Sequence, residues 1–270
     1  MPAVQLNKLK QQINTLIWKY TQPEAFLNEL LDLLGYYANR VYRAGENVQH
    51  IYVGKIYHTP NIILNQIIIE LLPLIEENPK RLLQIADVLW NDEYLEVRNL
   101  GILILGNIPP SEHSSVLSRI QEWVISTNNK NAIDTLLLEG TRNIRRFDPH
   151  NWLKQIENWL NDKNIEQQII GLKATLPLIL DPAFENFPPL FNMITPYFQH
   201  DNYQIQNEIF MIIDGLISRS PIETSFFFRQ ILSTGISRSQ IRSIRKFLPR
   251  FDKEIQDALR HSITTAVITD

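Results

Sequence analysis

Residues 90–101 read WNDEYLEVRNLG and residues 160–171 read LNDKNIEQQIIG, and the two align without a gap at an offset of 70 residues. A third copy, YQIQNEI from Tyr203, falls 38 residues beyond the second. An offset of 70 is two units of about 35 residues, inside the range of stacked helical hairpins. In the first two copies a polar turn carrying an aspartate, Asp92 or Asp162, precedes an apolar run of helical period. That order fits a turn capped by Asp, then a helix whose apolar face stacks on the next unit.

Working outward, the chain is patterned as helix almost throughout. Leu6, Leu9, Ile13, Leu16 and Ile17 mark one amphipathic helix, and Phe26, Leu30, Leu33, Leu34 and Tyr37 mark the next. Residues 44–60, AGENVQHIYVGKIYHTP, are the least regular, punctuated by Gly45, Gly54 and Pro60, and read as a loop or a short, poorly patterned helix. Beyond them, apolar runs alternate with breaks at Pro79, Pro109-Pro110, Pro149, Pro182, Pro188-Pro189 and Pro221. Proline is favourable at a helix start, where its missing N–H would be unpaired anyway, so most of these read as helix beginnings. The pattern predicts a single all-α domain of about a dozen helices with no β-sheet. Its expected form is an α-solenoid of antiparallel helical repeats, right- or left-curving, with a concave groove. Residues 1–59 would supply less regular N-terminal helices, 60–250 the repeat core and 251–270 a terminal helix and tail.

Composition excludes several function classes. Net charge is −3 and the pI is about 6.1 over 270 residues, so a nucleic-acid site must be a local feature. The chain has no cysteine, hence no disulfide framework and no thiolate metal site. Its six histidines, His50, His58, His113, His150, His200 and His261, are scattered, and no acid-flanked pair has metalloprotease spacing. We therefore expect neither metal nor cofactor. The first residues, MPAVQLNKLKQQINTLIWKY, lack the apolar run of a signal peptide, and no stretch approaches the length of a bilayer span. A cytoplasmic protein without membrane contact is the expectation.

Two basic stretches stand out. Asn128 to Phe147, NNKNAIDTLLLEGTRNIRRF, has one acid near its start and arginines in its last two turns. At about 100° per residue, Ile133, Leu137, Gly140 and Ile144 share a stripe, while Asp134, Leu138, Thr141 and Arg145 share another. Complementing the helix dipole is one account of this charge order; an anionic catalytic group beside a phosphate-binding face is the other. From Thr234 to Arg250, TGISRSQIRSIRKFLPR carries Arg238, Arg242, Arg245, Lys246 and Arg250 with no acid. Arg238, Arg242 and Arg245 fall at i, i+4 and i+7, on one helical face. Together with Arg142, Arg145 and Arg146 they are candidates to line one groove and meet DNA phosphates, with a merely solvated face as the alternative. Residues Glu70 to Glu96 carry seven acids against Lys80 and Arg81, and that edge should avoid DNA.

The series Asp92-x4-Val97-Arg98-x5-Ile104-Leu105-Gly106 resembles the HEAT-repeat pattern, in which the arginine bonds neighbouring turn acids. More narrowly, the order of residues from about Val41 onward, about four fifths of the chain, resembles the DNA alkylation repair family, the HEAT-like glycosylases of the AlkD type. Ile125 to Leu176 carries the most telling match, from the helix with Asp134 through Pro149, Trp159-Leu160 and Asp162 to the helix beginning near Ile165. Ala86 to Leu105 and Ile236 to Phe247 add to it.

Members of that family excise positively charged alkylated purines from double-stranded DNA. The resemblance implies a catalytic aspartate, which falls on Asp134. It also implies two cleft tryptophans and an arginine, and these are replaced: Asn129 and Lys130 stand at the first tryptophan position, Met211 at the second and Gln168 at the arginine. An aromatic face holds a cationic sugar or base by its quadrupole, which asparagine and methionine do poorly. Trp123, Trp152 and Trp159 have the neighbours of core residues. The expectation is a DNA-binding HEAT-like protein with weak or altered excision resting on Asp134. A non-enzymatic scaffold that receives a protein partner in its concave surface is the alternative.

Overall fold

The computed structural model describes residues 5–39, 55–199 and 202–267. Among these the architecture is all-α, with an isolated parallel bridge between Lys55 and Tyr94. Residue contacts gather into two units, Met1–Asp148 and Pro149–Asp270.

The first unit holds α1 (Leu6–Ile17), α2 (Pro23–Tyr37), α3 (Asn61–Glu77), α4 (Pro79–Trp90), α5 (Leu95–Asn107), α6 (His113–Ser126), α7 (Lys130–Thr135) and α8 (Arg142–Phe147). The second holds α9 (Pro149–Leu160), α10 (Ile165–Leu180), α11 (Pro188–Gln199), α12 (Gln206–Arg219), α13 (Pro221–Thr234), α14 (Arg238–Phe247) and α15 (Lys253–Thr264). Pro79, Pro149, Pro188 and Pro221 each open a helix, as their missing N–H permits, whereas Pro182 sits in the turn after α10. Pro73, Pro177 and Pro196 lie inside helices, where each removes a backbone bond.

The duplicated stretches form the same local structure twice. In the turn between α4 and α5, Asp92 Oδ1 accepts the Tyr94 N–H at 2.8 Å; between α9 and α10, Asp162 Oδ1 accepts that of Asn164 at 2.7 Å. Just ahead of the third copy a bond of the same kind precedes α12, where Asn202 Oδ1 accepts the Gln204 N–H at 3.0 Å. One turn into the following helix, Arg98 donates to the carbonyl of Asp92, and Gln168 donates through Nε2 to the carbonyl of Asp162 at 2.8 Å. Arg98 thus bonds the turn's backbone rather than its acid. The first two copies then bring a glycine against the preceding helix. A Cβ on Gly101 would lie 3.1 Å from the Ala86 carbonyl oxygen, and one on Gly171 would lie 3.0 Å from Leu160 Cγ. Small residues there let the paired helices close on each other.

Of the irregular segment, residues 44–54 lie outside the described residues. Residues 55–60 are latched to the start of α5: Leu95 N–H donates to the Lys55 carbonyl at 2.9 Å, and buried Glu96 accepts the N–H groups of Tyr57 (3.1 Å) and Thr59 (3.4 Å). The tryptophans read as core are buried. Trp123 stacks on Trp90 with centroids 4.7 Å apart, and Trp152 meets Trp159 edge-on at 5.6 Å. Among the described residues no helix is long and apolar enough to cross a membrane.

Candidate nucleic-acid interface

In the first unit, Asn128 to Phe147 is not one regular helix. Asn129 caps α7, its side-chain oxygen accepting the N–H groups of Asn131 (3.1 Å) and Ala132 (3.3 Å). Lys130 opens the helix and is exposed. After Thr135 the backbone widens into a π turn, Leu136–Gly140, before α8. This turn is fitted to α5: a Cβ on Gly106 would lie 1.9 Å from the Glu139 carbonyl oxygen. Because a π turn bonds i to i+5, it inserts one residue into the 3.6-residue period and rotates everything after it.

The rotation redistributes the arginines. Thr141 and Arg145 turn inward instead of lining up with Asp134. Thr141 Oγ1 donates to the Leu137 carbonyl at 2.6 Å, and Arg145 Nη1 donates to the carbonyls of Leu137 (3.0 Å) and Leu138 (2.8 Å) and to the Thr141 hydroxyl. With only 7% of its surface exposed, Arg145 is bonded to the π turn and does not stand on an outward stripe with Asp134. The outward strip is Asp134, Leu138, Arg142 and Arg146, all exposed. Arg142 is paired with Glu139, and the Arg146 guanidinium lies 5.5 Å from the Phe147 ring centroid. A carboxylate and two guanidinium groups therefore share one face, with Glu139 offsetting part of the charge.

His113, which opens α6, is buried beside α8, its Nδ1 3.9 Å from Asp148 Oδ2. Burial pushes its pKa below the ordinary histidine value, and the nearby Asp148 carboxylate opposes that shift without cancelling it.

The second unit carries Gln168 and Met211. Gln168 makes the turn bond that Arg98 makes 70 residues earlier, which ties its side chain to the backbone of its own hairpin. Met211, on α12, is 52% exposed. Basic charge in this unit is concentrated on α14. Ser237 and Gln240 close a capping box at its start, and Ile241, Ile244 and Phe247 bury its apolar side. Gln240 also donates to the Phe198 carbonyl at 3.3 Å, tying α14 to α11. On the opposite side Arg238, Arg242, Arg245 and Lys246 are exposed, and among the described residues no carboxylate comes within ion-pairing distance of any of them. Arg250, just beyond, is bonded to Asp214 and is the exception in this basic run.

Residues of α12 facing α14, notably Asn207 and Phe210, carry no sequence signal of a site. Their interest comes only from a long-range approach of two helices. Among the described residues no three His, Asp or Glu side chains gather as metal ligands would.

The sequence model of a family described as DNA alkylation repair enzyme matches residues 59–209. The match takes in Asn129, Lys130, Asp134, Arg142, Arg145, Arg146 and Gln168, stops two residues before Met211, and leaves α14 outside. No curated protein and no solved structure matches the chain. Since the matched segment is more than half of the 270 residues, the chain belongs to the DNA alkylation repair enzyme family.

Proposed function

We propose that the protein binds double-stranded DNA through exposed arginines and excises cationic alkylated purines weakly, as a diverged relative of the AlkD-type glycosylases. The observation that carries the reading is α14, whose Arg238, Arg242, Arg245 and Lys246 stand without a carboxylate partner among the described residues. Membership in a DNA repair family makes nucleic acid the natural anion for such a face. Arg142 and Arg146 of the first unit extend the reading, and the helical hairpins within each unit are taken to stack in the HEAT manner.

Asp134 is the proposed catalytic group. An alkylated purine that carries positive charge already has a weakened glycosidic bond, so the protein must stabilise an oxocarbenium-like sugar and place a water. One carboxylate supports both, by charge and by accepting a hydrogen bond. Attenuated rate follows from the replaced positions. Asn129 is spent capping α7, Lys130 offers charge of the wrong sign to a cationic substrate, Gln168 is held by its turn, and Met211 lacks an aromatic quadrupole.

The test is duplex binding as a function of salt. Counterion release gives a slope of roughly −0.9 per phosphate contact, so reversing Arg238, Arg242 and Arg245 to glutamate flattens the slope by about three contacts and weakens every duplex alike. Unchanged affinity in a folded variant removes the phosphate-binding face. A protein-binding scaffold is the second reading, favoured by exposed Ile222 and Phe226, one turn apart on α13 beside α11. It predicts no duplex binding in the wild type at all.

A further inference from the structure

Between α12 and α14, within the second unit, lies a pocket of about 700 Å³ with two chemically different walls. The α14 wall consists of Ser239, Arg242, Ser243 and Lys246, which repeat at helical spacing and so face the pocket together. The α12 wall presents the carboxamides of Gln206 and Asn207 and the ring of Phe210. Phe210 is 37% exposed and backed by Phe247, with ring centroids 4.8 Å apart. Among the described residues no carboxylate lines the pocket.

We infer that this pocket binds an unpaired nucleotide, its phosphate on Arg242 and Lys246 and its base against Phe210 with its edge toward Asn207. Two cations and two hydroxyls side by side suit a phosphate ester, which accepts several charge-assisted hydrogen bonds at once. An aromatic ring suits the face of a base, but bases within a duplex keep their faces stacked on each other; only an unpaired nucleotide offers one. Carboxamides suit base edges, since they donate and accept together. The volume falls in the range of small-molecule pockets and exceeds what a bare phosphate needs. The same chemistry is offered by a free nucleoside monophosphate and by the phosphorylated end of a single strand. The inference shares Arg242 with the proposed duplex-binding face but does not depend on duplex binding.

Calorimetric titration of the whole chain separates the cases, using deoxyadenosine 5′-monophosphate, deoxyadenosine, inorganic phosphate, a 5′-phosphorylated single-stranded tetranucleotide and its 5′-hydroxyl counterpart. The monophosphate should bind more tightly than either the nucleoside or phosphate alone. If the phosphorylated tetranucleotide binds better than its 5′-hydroxyl counterpart and better than the free nucleotide, the source is a strand end; if not, it is the free nucleotide. Phe210→Leu, which keeps bulk against Phe247, should cost about tenfold in nucleotide affinity, the scale of one lost base–aromatic stack. The exposed Asn207→Ala should weaken nucleotide binding while leaving duplex affinity and thermal stability unchanged. Inorganic phosphate binding as tightly as the nucleotide, or nucleotide affinity indifferent to both variants, overturns the inference even if duplex binding stands. Nucleotide binding without duplex binding sustains it and removes the duplex reading instead.

Discussion

Replacing Gly106 by alanine tests the origin of the π turn that arranges Asp134 and the arginines. The new methyl carbon would sit 1.9 Å from the Glu139 carbonyl oxygen, 2.9 Å from its carbonyl carbon and 3.2 Å from the Gly140 Cα. These are backbone atoms, so no rotamer change relieves the clash, and a carbon normally stays about 3.3–3.6 Å from a carbonyl oxygen. Either α5 or the π turn must shift by more than an ångström. Helix propensity favours alanine by about 1 kcal/mol, while overpacking a core costs about 1–3 kcal/mol and occasionally more. With a rigid obstacle the cost lies at or above the top of that range, leaving a net loss of about 2 kcal/mol or more. Thermal melting should then fall by about 4–8 °C for a chain of this size. Gly35→Ala is the control, because its Cβ would meet only the Tyr57 ring edge at 3.9 Å, an ordinary contact. That variant should match or exceed the wild type. Thermal and urea midpoints of Gly106→Ala equal to those of the wild type would refute the close approach.

Gln168→Arg should keep the turn bond, as Arg98 does in the first copy, and leave stability unchanged, whereas Gln168→Ala should lose about 1 kcal/mol in a urea midpoint. Equal stability of all three proteins would show that the side chain does not hold the turn. His113 sets a pH dependence whose sign follows from its depressed pKa. The unfolded chain takes up this proton near pH 6.5 while the folded chain resists, so the contribution is full above that pH and is lost as pH falls through the window below it. Urea midpoints at pH 7.5 and 5.5 should therefore fall less in His113→Gln than in the wild type, and identical slopes would contradict the assignment.

How much was legible depended on whether the deciding contact was local. The all-helical class and the two matching turns were legible because the turns' devices sit a few residues apart: Asp92 and Asp162 bond two residues on, and Arg98 and Gln168 reach back six. The α14 face was legible for the same reason, since a regular helix places Arg238, Arg242 and Arg245 together without help from elsewhere. Arg145 was misplaced because the 3.6-residue period was carried through a stretch that departs from it. The departure is fitted to Gly106, which meets Glu139 across 33 positions of sequence, and no local window contains that approach. Asn129 and Gln168 looked like vacated positions when compared with a family pattern; the structure gives each a structural bond of its own. The pocket wall of Asn207 and Phe210 was invisible, as it exists only where α12 comes up beside α14.

The most direct measurement of the proposed chemistry is single-turnover release of 7-methylguanine from duplex DNA by the wild type and by Asp134→Asn, at matched occupancy of the DNA. Asparagine keeps the shape of the exposed strip and removes its negative charge. Slow release by the wild type, falling further in the variant while DNA affinity holds, is the predicted result. Equal release by both proteins would contradict it and return Asp134 to balancing the charge of its own helix.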